Sequence, residues 1–265
     1  MMLTTLITAA ETVPQDSSND NVELARKISN PVANLTSVPI QYNYQNNLGP
    51  NEDGKKSLMK IQPIIPFSIS DDWNLITRTI IPVVQTQDMY PGAGTETGFG
   101  DTNLSLFFSP KEPTSNGIIW AAGPVILLPT ESHDLGKDKW GLGPTFAVLK
   151  INDLGNKKSL TMGLLTSQIW TVESHTDKTE TNQLFVQPFM SFVLPTATTL
   201  TLSSETTFDW AANEKEVPII FQVGQMARIG GQLINFQVGQ QWYADKYTGG
   251  SNWATRFQVT FLFPR

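Results

Sequence analysis

From about residue 35 onward, apolar and polar positions alternate with a period of two, which places successive side chains on opposite faces of a strand. The pattern is clearest over Thr199–Trp210. Thr199, Thr201, Ser203, Glu205, Thr207 and Asp209 fall on one face, and Leu200, Leu202, Ser204, Thr206, Phe208 and Trp210 on the other. Gln232–Tyr243 sets Asn235, Gln237, Gly239 and Gln241 against Ile234, Phe236, Val238 and Trp242. The last segment sets Asn252, Arg256, Gln258 and Thr260 against Trp253, Thr255, Phe257, Val259, Phe261 and Phe263. About twelve strands are expected, at 35–46, 57–69, 72–84, 99–109, 116–129, 140–151, 158–171, 182–194, 198–210, 216–227, 231–243 and 252–264. Each is near the roughly 9–11 residues that a tilted strand needs to cross a bilayer. Residues 117–129 are apolar on both faces, so alternation leaves their register open. Pro39, Pro63, Pro82, Pro124, Pro144, Pro188 and Pro218 fall inside expected strands, and because each removes a ladder donor, bulges are expected there.

The connections alternate in length. Leu48–Lys56, Thr86–Gly98, Glu131–Lys139, Glu173–Thr181, Ala211–Lys215 and Asp245–Ser251 form a long set, and turns such as Ser70–Asp71, Pro195–Ala197 and Ile229–Gly231 a short one. An antiparallel meander puts alternate connections at opposite ends, and long loops at one end with short turns at the other is the pattern of outer-membrane barrels. A lipocalin-like soluble barrel would turn its apolar face inward and use fewer strands. The aromatic residues favour the membrane. Trp140, Trp170, Trp210, Trp242 and Trp253 fall at strand ends beside long loops, and Phe67, Phe108, Phe192, Phe261 and Phe263 near the other ends. Two belts flanking an aliphatic band suit the two membrane interfaces. The expected fold is therefore all-β: a transmembrane, antiparallel up-and-down β-barrel over 35–265.

Two segments precede it. Residues 1–20 read as a partial signal peptide, with cleavage near Ala9 or Ala10 but no basic start, or as a disordered leader. Residues 21–34 read as a short helix, either able to cap or plug the barrel or a plain surface helix, with Val22, Leu24, Ala25 and Ile28 at helical spacing and a stop at Asn30–Pro31.

Composition narrows the function. Charged residues are only 16% of the chain, the net charge is -6, and no basic run exists, which argues against a nucleic-acid partner. The absence of cysteine removes disulfides, thiolate metal sites and cysteine nucleophiles. The two histidines, His133 and His175, fall in expected outer loops beside Ser132 and Asp134, and Ser174 and Asp177. These neighbours allow a loop-borne hydrolase, yet catalysis needs a base held by a second group, and solvated loop tips carry polar residues by default. No cofactor is implied. The glycines of Gly92–Gly98 lack the strand–helix context of a nucleotide loop. The stronger candidates face the lumen: Lys60, Arg78, Asp101, Asn103, Glu205, Asp209, Asn235, Gln237, Gln241, Arg256 and Gln258. A charge facing lipid at mid-membrane costs about 2–4 kcal/mol, so these are expected inside, with Glu205 and Arg256 able to pair across the interior.

Several short stretches resemble one family. Leu24–Ala33 (LARKISNPVA), Ser37–Gln41 (SVPIQ), Gly98–Asp101 (GFGD), Trp140–Pro144 (WGLGP) and Phe261–Pro264 (FLFP) are similar to the outer-membrane transporter family named after the meta-pathway of phenol degradation. The resemblance covers most of the chain from Val22. It implies an outer-membrane β-barrel of Gram-negative bacteria with a channel or transport role, and it carries over no catalytic residue. The expectation is a passive channel for small molecules in contact with outer-membrane lipids, the solute and the oligomeric state being open. A structural or adhesive barrel with a blocked lumen, and less so the hydrolase, are the alternatives.

Overall fold

A computed structural model describes residues 15–173 and 180–264. Among the described residues one helix, α1 (Gln15–Ile28), precedes fifteen strand segments. They are β1 (Thr36–Leu48), β2 (Gly54–Ile61), β3 (Ile64–Ser68), β4 (Trp73–Gln87), β5 (Thr95–Phe99), β6 (Thr102–Pro110), β7 (Ile118–Leu128) and β8 (Trp140–Asp153). The rest are β9 (Ser159–Glu173), β10 (Asn182–Val193), β11 (Thr198–Ser203), β12 (Thr206–Asp209), β13 (Glu214–Ile229), β14 (Gln232–Asp245) and β15 (Trp253–Phe263). Three pairs, β2/β3, β5/β6 and β11/β12, are single staves with a break, so the wall has twelve. Every stave is antiparallel to its neighbours, and β15 closes the cylinder on β1 from Thr36 opposite Phe263 to Gln45 opposite Ala254. Closure removes the sheet edges that would otherwise leave backbone groups unpaired in hydrocarbon.

The three breaks have a common cause. The amide of Gln62 donates to the Pro39 carbonyl (2.8 Å), that of Gly100 to Pro82 (3.0 Å) and that of Ser204 to Pro188 (3.1 Å). A proline accepts from its neighbour but cannot donate back, so the facing strand loses one ladder bond and leaves the pleat for two residues. Bulges at all seven prolines are not what forms. Pro218 sits at a register shift against β14, whereas Pro124 and Pro144 face each other across β7 and β8 with the register kept. At the opposite extreme of regularity, β13 and β14 join through Gly230 and Gly231 alone, both with positive φ (56° and 85°). That is the backbone a two-residue hairpin needs, and glycine adopts it without strain.

The apolar rows face outward. Phe257 and Val238 are about half exposed, and Phe236, Phe221, Phe146, Leu142, Leu202 and Met190 are exposed with them. At the long-loop end Trp140, Trp170, Trp210 and Trp242 are exposed, Trp253 lies half-buried opposite Trp242, and Trp210 stacks on Phe208. The short-turn end carries Phe67, Phe108 and Phe263, and adds Trp73 edge-on to Trp120 with centroids 5.8 Å apart. Staves run past the expected ends on the loop side. Thr95, Glu96 and Thr97, expected in a loop, pair with β4, because polar residues extend a hairpin beyond the membrane where water covers the side chains.

The helix starts at Gln15, inside the expected leader, and ends at Ile28. The expected cleavage site lies outside the described residues. Val22, Leu24 and Ala25 are buried against Val193, Ala197, Met226, Leu233 and Leu262, which are residues of the inner wall and turns at the short-turn end. The helix therefore sits in that mouth of the barrel. Arg26 fastens it to the β8–β9 turn, donating to the Lys158 carbonyl (3.1 Å) and meeting Asp153 at 3.3 Å. Asn30 accepts from the Val32 amide (2.9 Å) and turns the following chain into the lumen. Val32 there joins a buried patch of Ile76, Phe107, Ala121, Ala147, Leu149 and Leu165. This patch accounts for part of the doubly apolar residues 117–129: Ala121 of β7 belongs to it and Ile119 packs against it from within the barrel.

Candidate functional site: the barrel interior

Above the plug the barrel encloses a cavity of about 490 Å³. Nine of the expected lumen residues line it: Lys60, Arg78, Asp101, Asn103, Glu205, Asn235, Gln237, Arg256 and Gln258. Gln241 is buried and spans the neighbouring stave on the inner face, donating to Asn43 (2.7 Å). Asp209 lies nearer the long loops, where it accepts from Gln183 (2.7 Å) and meets Lys137 at 3.7 Å.

Glu205 is the centre of the interior. It stands at the β11/β12 break and keeps the inward side of its row, on the cavity. Arg256 on β15 grips it with two parallel bonds, 2.6 and 2.9 Å, the planar fork matching the carboxylate. Lys60 lies 3.9 Å from the same carboxylate. Arg256 is held from behind by Asn43, which accepts from its Nε at 2.8 Å. Asn43 also accepts from Gln241 and, at 3.4 Å, from Gln41. Gln41 in turn accepts from Gln62 (3.4 Å), and Gln62 accepts from Arg78 (2.9 Å). A buried guanidinium is tolerated only where its donors are satisfied, and for Arg256 Glu205 and Asn43 do that. Gln258 donates to Gln237 at 2.6 Å beside it.

The amides Gln41, Asn43 and Gln62 were missing from the sequence-based candidates. Alternation in β1 does put Pro39, Gln41, Asn43 and Gln45 on one face, which was the available signal. Gln62 sits at a break, where alternation gives none.

Asp101 stands at the second break. Its carboxylate accepts from the Lys137 and Asp138 amides, drawing the loop between β7 and β8 against the wall. In that loop Ser132 Oγ accepts from the Phe99 amide (2.9 Å), and His133 is exposed with positive φ. The serine is thus committed to backbone. His175 lies outside the described residues.

No family model and no curated protein matches this chain. Solved structures do match the fold. The outer membrane channel from Pseudomonas putida F1 superposes with a TM-score of 0.64 at 12% identity, covering 87% of this chain and 96% of that one. The beta domain of the Bordetella autotransporter BrkA gives 0.51 at 11% identity, covering 86% and 99%. Closed wall, apolar exterior and polar interior together define a β-barrel of the outer-membrane class. The family resemblance read from the motifs is narrower than this likeness of fold.

Proposed function

We propose that the protein is a passive channel of the bacterial outer membrane that admits small solutes through the barrel interior. The observation that supports this best is the polar cavity itself. A barrel needed only as an anchor could pack its interior with neutral side chains, yet here Lys60, Arg78, Glu205 and Arg256 face a space of about 490 Å³. Mixed charges and amides along a wall tune passage by sign and size. In this reading the tryptophans at the long-loop end anchor the barrel at the headgroup level. Single-channel recording in planar bilayers tests it, with discrete conductance steps expected.

One observation favours a second reading, a closed structural barrel: α1 occupies the short-turn mouth. In the channel reading the helix is a plug that yields. A barrel that stays electrically silent in several lipids, with the helix undocked as well as docked, establishes the closed form instead.

A further inference from the structure

We infer that the cavity is a binding site for a small organic anion with an apolar body, of the monocarboxylate class, its charge held at Arg78 and Lys60 and its body against Phe185 and Phe189. The inference rests on the reading of the cavity as open to solutes.

Charge is the first argument. The chain as a whole carries -6, but among the described residues the cavity is lined by four cations, Lys27, Lys60, Arg78 and Arg256, and two carboxylates, Asp101 and Glu205. The interior is therefore positive in a negative protein. The carboxylates are also spoken for. Glu205 is gripped at both oxygens by Arg256, and one Asp101 oxygen accepts two loop amides. Arg78 has no carboxylate within ion-pair distance among the described residues, and its hydrogen bond goes to the neutral Gln62. A guanidinium presents five donors in a planar fork suited to a carboxylate. Enclosing such a group without a counter-ion is costly, and an anion in the cavity relieves that cost.

Shape is the second argument, and it is independent of charge. Phe185 and Phe189 line the cavity from β10, flanking the position of Glu205: Phe185 pairs with Thr207 and Phe189 with Ser203. Both phenylalanines rest on the buried patch around Val32, and Leu165 of that patch and Ile169 on β9 border the cavity beside them. The stave bearing Lys60 is six places round the twelve-stave wall from β10, so Lys60 and the two phenylalanines lie on opposite arcs of the wall. An inorganic anion would use only the first and a neutral hydrocarbon only the second. The volume of about 490 Å³ lies within the roughly 300–1,000 Å³ of small-molecule pockets.

The test is titration calorimetry on the full chain in detergent, with benzoate, benzamide and acetate as probes. Benzoate is expected to bind at least tenfold more tightly than either of the others, since each lacks one half of the recognition. Arg78→Gln is expected to weaken benzoate roughly tenfold, the loss of one charge-assisted pair, without changing benzamide. Heat-modifiable mobility on a gel confirms that the variant is folded. Equal affinity for benzoate and benzamide, or an unchanged benzoate affinity in folded Arg78→Gln, overturns the inference. A conducting barrel that fails this test loses the anion site alone, whereas a silent barrel that passes it keeps the site and loses the channel.

Discussion

Neutralising Glu205 while keeping its shape should turn the interior further towards anions. In Glu205→Gln the excess of two positive charges among the lining residues becomes three. Arg256 keeps its bond to Asn43 at 2.8 Å but loses its counter-ion. An ion passing within roughly 4 Å of the vanished charge changes its energy by about 1 kcal/mol in a water-like medium. The sign is favourable for chloride and unfavourable for potassium, so the two effects combine in the permeability ratio. Allowing for screening at a Debye length of about 10 Å in 0.1 M salt, the chloride-to-potassium ratio should rise on the order of tenfold. Reversal potentials across a planar bilayer under a potassium chloride gradient measure it. The substitution also leaves a buried guanidinium unpaired, a loss of up to about 3–5 kcal/mol where water is excluded and less beside a wet cavity, so a lower melting temperature in detergent should accompany it. A ratio that stays put, or moves towards potassium, would mean that ions do not pass this carboxylate.

Two further outcomes concern the plug. Ala25 is fully buried among Val193, Met226 and Leu262, and Ala25→Asp places an unpaired charge there; conductance should rise markedly while the folded mobility of the barrel persists, and an unchanged current would show that the helix does not gate. Asp153 sits at the other anchor, its pKa held below the ordinary carboxylate value first by the Gly155 amide and then by the Arg26 charge. A carboxyl lowered in this way contributes its anchoring in full above the ordinary value of about 3.9, and loses it only as pH falls through the lower folded value. A nitroxide on Asp20→Cys should therefore stay immobile at pH 5 and loosen only in stronger acid, whereas Asp153→Asn should loosen it at neutral pH.

The wall was readable in the sequence because a period of two needs no knowledge of neighbours. Thr199–Trp210 alone assigns Thr199, Thr201, Ser203, Glu205 and Thr207 inward, and these line the cavity. The pairing expected of Glu205 with Arg256 is present for the same reason, since both lie on inward rows. What alternation cannot show is any feature set by a residue on another stave. The breaks at Gln62, Gly100 and Ser204 are imposed by Pro39, Pro82 and Pro188 across the ladder, and register is needed to see them. A helix able to cap or plug the barrel was legible in the apolar stripe of α1, but not its seat: the inward Val193, Met226 and Leu262 that receive it lie on three other parts of the chain. The β7–β8 loop was expected to be a solvated tip, yet the Asp101 carboxylate at a break binds its backbone.

Channel, cavity and belts all require that the apolar face of the wall meets hydrocarbon. The chain contains no cysteine, so single cysteines placed along β15 at Phe257, Gln258, Val259 and Thr260 can each carry one environment-sensitive fluorophore in liposomes. The account predicts alternation: lipid-borne quenchers reach the labels at 257 and 259, and water-borne quenchers reach those at 258 and 260. Uniform quenching along the strand, or the opposite alternation, would contradict it.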